Sequence, residues 1–174
     1  KVIACDTVVF TGDWIPEHEL ARYGGALLDA TTRGPLVDTC LRTSARGVFA
    51  AGNLLRGAET ADVAALEGRR AAEHIRDFLE RDRWPEAWLT IRGDSPVTWV
   101  SPGAIAGGDR RPAGSFLFRV GEFCRDARLH VRQGERVLYR QPFRRLQPNR
   151  SYQLKSSWVA SANPHGEELR VTIE

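Results

Sequence analysis

The 174-residue sequence contains no methionine, only three cysteines and only two lysines, Lys1 and Lys155. A chain that opens on lysine and holds no methionine reads as a fragment, a processed product or a truncated form of something longer. The scarcity of lysine makes 23 of the 25 basic residues arginine, so the net charge of +3 follows from an arginine-rich composition and is no argument for nucleic-acid binding. No apolar run approaches the roughly 18 residues that span a bilayer, and no signal-peptide pattern opens the chain, so no membrane insertion is expected. Cys5, Cys40 and Cys124 offer neither a Cys-x-x-Cys pair nor zinc spacing, and their odd number suits a reducing, cytoplasmic setting. His18, His74, His130 and His165 form no ligand pattern either. What is present, 42% hydrophobic and 27% charged residues, describes a soluble folded protein with a real core.

The pattern changes near residue 85, and charge changes with it. Residues 1–85 carry 11 basic and 13 acidic side chains, and residues 86–174 carry 14 and 9. Two modules are expected, 1–85 and 86–174, in an α+β protein. In the first, Val2–Cys5, Thr7–Phe10, Leu36–Leu41 and Gly47–Ala51 are short apolar, β-branched runs bounded by turn signals, which predicts strands. A short helical piece is expected over Glu17–Arg22. From Thr60 to Arg81 the period becomes helical, with Ala61, Ala64, Ala65, Gly68, Ala72, Ile75 and Leu79 at steps of three and four. Thr60 is the expected N-cap and Asp62 suits the positive end of the helix dipole. The small-residue stripe predicts close packing of this helix on a sheet.

Beyond Trp88 only short alternating runs remain, at 88–92, 97–101, 115–120, 127–133, 136–143, 151–159 and 168–173, separated by Gly-, Pro- and Asn-containing turns. Leu129–Arg132 and Val137–Arg140 are the arms of an expected hairpin. Seven short strands in this span fit an immunoglobulin-like sandwich.

The stretch with the most specific chemistry is Arg42 to Asn53. A short apolar run, Gly47-Val48-Phe49-Ala50-Ala51, ends in Gly52-Asn53, and a helix begins seven residues later. Glycine at such a point admits close approach of a ligand to the backbone, and the next side chain can bond a ribose or polyol hydroxyl. The helix start offers free N–H groups to an electron-rich group. Thr43, Gly47–Asn53 and the later Gly68-Arg69-Arg70-Ala71-Ala72 resemble, in order and spacing, the C-terminal part of the FAD-binding domain of the two-dinucleotide-domain flavoprotein oxidoreductases, the group that includes thioredoxin reductase and glutathione reductase. Asp6–Gly12 is similar to the strand that returns from the NAD(P)H domain of that family, so the resemblance covers about residues 1–82.

The resemblance implies that residues 1–85 are the closing piece of a Rossmann-like FAD-binding domain. It places Gly52 and Asn53 against the ribityl and pyrophosphate portion of FAD, Thr60 and Ala61 at the flavin N1/O2 edge, and Thr11 and Gly12 near the adenine or pyrophosphate side. Asn53 stands where the family usually has aspartate, which removes a charge-assisted bond to a hydroxyl. The implied reaction is hydride transfer from NAD(P)H to flavin and onward to an acceptor. No Gly-x-Gly-x-x-Gly occurs in the sequence, so the phosphate loops would come from a missing N-terminal region or another polypeptide. This chain alone is then expected to be inactive, without tight FAD retention, and a homo-oligomer is compatible with that reading. The competing expectation is a non-catalytic β-sandwich interaction module attached to a dinucleotide-fold remnant.

Several other features read as ordinary structure. Arg92-Gly93-Asp94 is a turn, the cysteines are small buried hydrophobes, and Asn149-Arg150-Ser151 matches a glycosylation pattern without a secretory context. Arg144, Arg145 and Arg150, beside Phe143 and Tyr152, line the solvated edge of the expected sandwich or a basic docking face.

Overall fold

A computed structural model describes residues 2–8, 15–57, 59–106 and 116–174. It is a mixed α+β structure, mostly strands in two sheets, with one long helix. Among the described residues two α-helices, α1 (Glu19–Tyr23) and α2 (Ala61–Arg81), precede eight strands: β1 (Trp88–Gly93), β2 (Val97–Ser101), β3 (Ala104–Ala106), β4 (Phe116–Val120), β5 (Cys124–Gln133), β6 (Arg136–Leu146), β7 (Tyr152–Leu154) and β8 (Leu169–Ile173). Five strands form one sheet in the order β3-β1-β8-β5-β6, and three form the other in the order β2-β4-β7. The pairs are antiparallel except β1 with β8, which run parallel.

The alternation along the strands builds the core between these sheets. Leu129 and Val131 from β5, Leu169 and Val171 from β8, and Phe116 and Phe118 from β4 are all buried in one cluster. The expected hairpin is present, with His130 opposite Arg140 and Val131 opposite Tyr139. β6 is the outer strand of its sheet, and Arg136, Arg140, Arg144 and Arg145 along it are exposed, as is Pro142. The expected run at 151–159 is cut to three residues. Trp158 turns inward and stacks on Phe116 at 5.1 Å, so the chain leaves the sheet plane, and a short 3-10 turn, Val159–Ser161, follows. β3 was not among the expected strands; its three residues, Ala104-Ile105-Ala106, are all buried and give no alternation to read.

Before Trp88 the expected strands shrink. Residues 2–8 form no strand, Val2, Ile3 and Val8 are exposed, and Val9 and Phe10 lie outside the described residues. The run at 36–41 forms no strand or bridge and is flanked by the isolated bridges Leu28 to Pro35 and Arg42 to Phe49, the second of which is all that the run at 47–51 contributes. The cause is local. Oδ1 of buried Asp38 accepts the Cys40 N–H at 2.9 Å and the Arg42 N–H at 3.1 Å, and Leu41 adopts a φ of 62°, so the chain turns where a strand would continue. Burial raises the pKa of the Asp38 carboxyl, against the opposing pull of the Arg42 guanidinium bonded to its Oδ2 at 2.7 Å. A small second core, Val37, Leu41, Ala50, Leu55 and Ala71, lies under these turns.

α2 begins and ends where the periodicity predicts, but it presents a different face to the protein. Its buried residues are Glu67 and Ala71, while Leu66 is 57% and Leu79 76% exposed, and Ile75, Ala65 and Ala72 also face solvent. A Cβ on Gly68 would meet nothing within 4 Å, so close approach does not explain that glycine in this structure. Polar anchoring of Glu67, rather than the small-residue stripe, sets the rotation of the helix. Its far end is held by an aromatic trio, with Phe78 5.2 Å from Trp84 and Trp84 5.4 Å from Phe49. Cys5 is exposed, and Cys40 and Cys124 are half-buried, so the expectation of three buried cysteines is corrected. No helix among the described residues is long and apolar enough to cross a membrane.

Candidate functional site

Ala51 is extended, and Gly52 then takes a φ of 72° to start a short 3-10 turn, Gly52–Leu54. That left-handed backbone is inexpensive only for glycine. It places Gly52 over the first turn of α2, where an added Cβ would sit 3.6 Å from the Cβ of Ala64. The Gly52 N–H donates to Oε2 of Glu67 at 2.9 Å. Asn53 is exposed, and its Oδ1 accepts the Glu59 N–H at 3.1 Å, which closes the 53–59 loop onto the residue preceding Thr60.

Thr60 occupies the N-cap position with extended backbone, but its side chain caps no backbone N–H. It bonds the Asp62 carboxylate instead, and that bond, with help from the backbone N–H groups of Asp62 and Val63, lowers the pKa of Asp62. Asp62 therefore supplies the acceptor that Thr60 was expected to supply. Thr60 and Ala61 are both exposed at the helix start. Four of the six expected site residues, Gly52, Asn53, Thr60 and Ala61, thus belong to one loop and the helix turn it leads into. The other two, Thr11 and Gly12, lie outside the described residues.

A cleft of about 390 Å³ opens beside this loop, lined by Ile15, Pro16, Glu17, Asn53, Leu54, Gly57 and Glu59. Ile15, Pro16 and Leu54 give it an apolar wall, and Asn53, Glu17 and Glu59 supply its polar side chains. Among the described residues its lining carries two carboxylates and no basic side chain. Such a surface suits a flat or aliphatic body bearing hydroxyl or N–H donors, and it disfavours a phosphate.

Sequence reasoning missed the charged groups that hold the loop. Arg56 is only 1% exposed and reaches three ways: Nη2 bonds Glu67 Oε1, Nη1 donates to Ser101 Oγ at 3.1 Å, and Nε lies 3.5 Å from Glu59 Oε1. Glu59 Oε1 also receives Arg119 Nη2 at 3.3 Å and the Ser151 hydroxyl. Arg119 Nε donates to Ser151 Oγ at 3.0 Å, and its guanidinium sits 5.2 Å from the centre of the Trp99 ring. Two cations and two anions therefore compensate one another in a nearly dry setting. The one signal for these groups in sequence was weak: Arg56 and Glu59 interrupt a loop that otherwise reads as a plain connection.

No group of three or more His, Cys, Asp or Glu among the described residues is arranged to hold a metal ion. The basic residues Arg144, Arg145 and Arg150 are exposed; Arg150 lies over the Tyr152 ring at 5.7 Å, and Tyr152 touches Phe143 at 5.9 Å. The chain matches no protein-family model, and comparison with curated proteins and with solved structures likewise yields no significant match.

Proposed function

We propose that this chain supplies the closing edge of a flavin site in an FAD-dependent, NAD(P)H-linked oxidoreductase. In this reading residues 1–85 are the C-terminal segment of a Rossmann-like FAD-binding domain, and residues 86–174 are an appended immunoglobulin-like sandwich. The observation that carries the proposal is the Gly52-Asn53 turn, which opens on the 390 Å³ cleft and is tied to the start of α2 through the Asn53–Glu59 bond. Asn53 keeps its amide N–H groups for a hydroxyl acceptor in the cleft, and Gly52 sets the turn that presents it, its own N–H bonded to Glu67. The polar lining suits the ribityl hydroxyls. The pyrophosphate belongs elsewhere, in keeping with the missing glycine loop.

A second observation supports the need for a completing region. Of the twelve large exposed apolar side chains among the described residues, eleven lie before residue 80 and only Phe123 lies after it. That imbalance fits a segment whose sheet partners come from a missing N-terminal region or another polypeptide. The competing reading, a non-catalytic β-sandwich interaction module, draws no support from it, because Phe123 is the one such side chain among the described residues of the sandwich.

The visible spectrum of the complete gene product separates the two. Bands near about 370 and 450 nm that bleach on adding NADH or NADPH are expected for the flavoprotein. A colourless complete product that releases no flavin on heating overturns the proposal.

A further inference from the structure

We infer that Arg119 and Ser151 are positioning residues, through which the three-stranded sheet fixes the cleft beside Asn53. The two parts of the chain were expected to be linked in series, the second merely appended to the first. Their contacts are more specific than that. Each strand of the β2-β4-β7 sheet, or the residue beside it, sends one side chain to the 52–60 loop. Ser101 at the end of β2 bonds Arg56, Arg119 on β4 bonds Glu59, and Ser151, just before β7, bonds Glu59 as well.

Glu59 transmits the restraint. Its side chain is only 7% exposed, its carboxylate is held from the sheet, its backbone N–H is held by Asn53, and it lines the cleft. A path of direct contacts therefore runs from the Trp99 ring to the Arg119 guanidinium, to Glu59, to the Asn53 side chain and into the cleft. Apolar packing of equal volume would hold two parts together with less desolvation cost. Buried charge-assisted bonds add direction: they fix one orientation of the Glu59 carboxylate and, through it, one position of the loop. Glu67 on α2 holds the same loop through Arg56 and the Gly52 N–H, while the Arg119–Ser151 arm reaches Glu59 from the sheet alone.

The choice of flavin as occupant rests on the function proposed above; the restraint on the loop does not. The test therefore has two arms, run on the complete gene product with Ser151→Ala, Arg119→Gln and the hydroxyl-retaining Ser151→Thr. The first arm is hydrogen exchange. Ser151→Ala and Arg119→Gln are expected to speed exchange of the 52–60 amides by about tenfold while β5 and β8 keep their protection, and Ser151→Thr is expected to restore the slow rate. The second arm is titration with FAD, read by flavin fluorescence. Ser151→Ala is expected to weaken binding about tenfold and Ser151→Thr to leave it near wild type.

Unchanged exchange at 52–60 in both variants overturns the inference, as does a rise spread evenly along the chain, which would mark general destabilisation. Loop exchange that responds while FAD affinity does not overturns the link to the cleft. Loop exchange that responds in a wild-type protein binding no FAD supports the positioning role and defeats the flavin reading alone.

Discussion

A Cβ added to Gly34 would lie 2.2 Å from the carbonyl oxygen of Leu55. The two residues are in contact through backbone, beneath the loop that carries Asn53, and neither can retreat cheaply. Gly34→Ala is expected to cost about 3 kcal/mol and to disturb the 52–60 loop, because backbone atoms must move to admit one methyl group. Urea denaturation of the variant measures the cost. Gly68→Ala is the matched control: its Cβ enters open space on a helix, so a gain of roughly 0.5 to 1 kcal/mol is expected.

Arg56 and Glu67 give a second prediction. Arg56→Met leaves the Glu67 carboxylate buried without the guanidinium bonded to it, with Arg70 as the remaining cation nearby, and a loss of about 3 kcal/mol is expected. The double variant Arg56→Met, Glu67→Leu removes both charges and should recover much of that loss. It should not recover the Gly52 N–H bond, which Glu67 also accepts. A double-mutant cycle in chemical denaturation gives the coupling.

The third prediction concerns pH. The Asp62 carboxyl titrates below its ordinary value of 3.8, first through its bond with Thr60 and then through backbone N–H groups. A depressed folded pKa means that the unfolded chain binds the proton more readily, so the stabilisation is present above the unfolded pKa. It is lost as pH falls through the folded value. Thr60→Val should therefore lower stability in the neutral region and flatten the acid limb below about pH 4, the variant converging on the wild type as the pH falls through the folded value. Thermal melts at several acid pH values check this, and an unchanged acid limb contradicts it.

Asn53 provides the fourth. Asn53→Ala removes the acceptor for the Glu59 N–H and is expected to lower stability by about 1 kcal/mol. In the complete gene product it should also weaken FAD binding about tenfold, since the loop and the donor are lost together. Asn53→Asp keeps the acceptor but adds a negative charge beside Glu59 and Glu17, so it should not improve binding. Flavin fluorescence titration distinguishes the two variants.

The elements with regular alternation were legible in sequence, and those shaped by buried polar groups were not. The β5–β6 hairpin and the limits of α2 follow from periodicity alone. The face that α2 presents does not, because Glu67 anchors it and a buried carboxylate leaves no mark in an apolar pattern. Asp38 defeated a strand in the same way, by drawing two backbone N–H groups into a turn. At the candidate site, Gly52 and Asn53 were read from their place after an apolar run. Arg56, Glu59, Arg119 and Ser151 could not be, since Ser151 is 92 positions from the glutamate it bonds.

The outer strand β6 has a consequence for how copies of this protein meet. Among the described residues β6 pairs along one side only, with β5, and its other margin would in a neutral sequence be a template for the same strand of a second molecule. Here two such margins would bring four arginines against four, with Pro142 withholding a donor in the middle. Fibril-like growth through this margin is therefore self-limiting, and low ionic strength should strengthen the barrier.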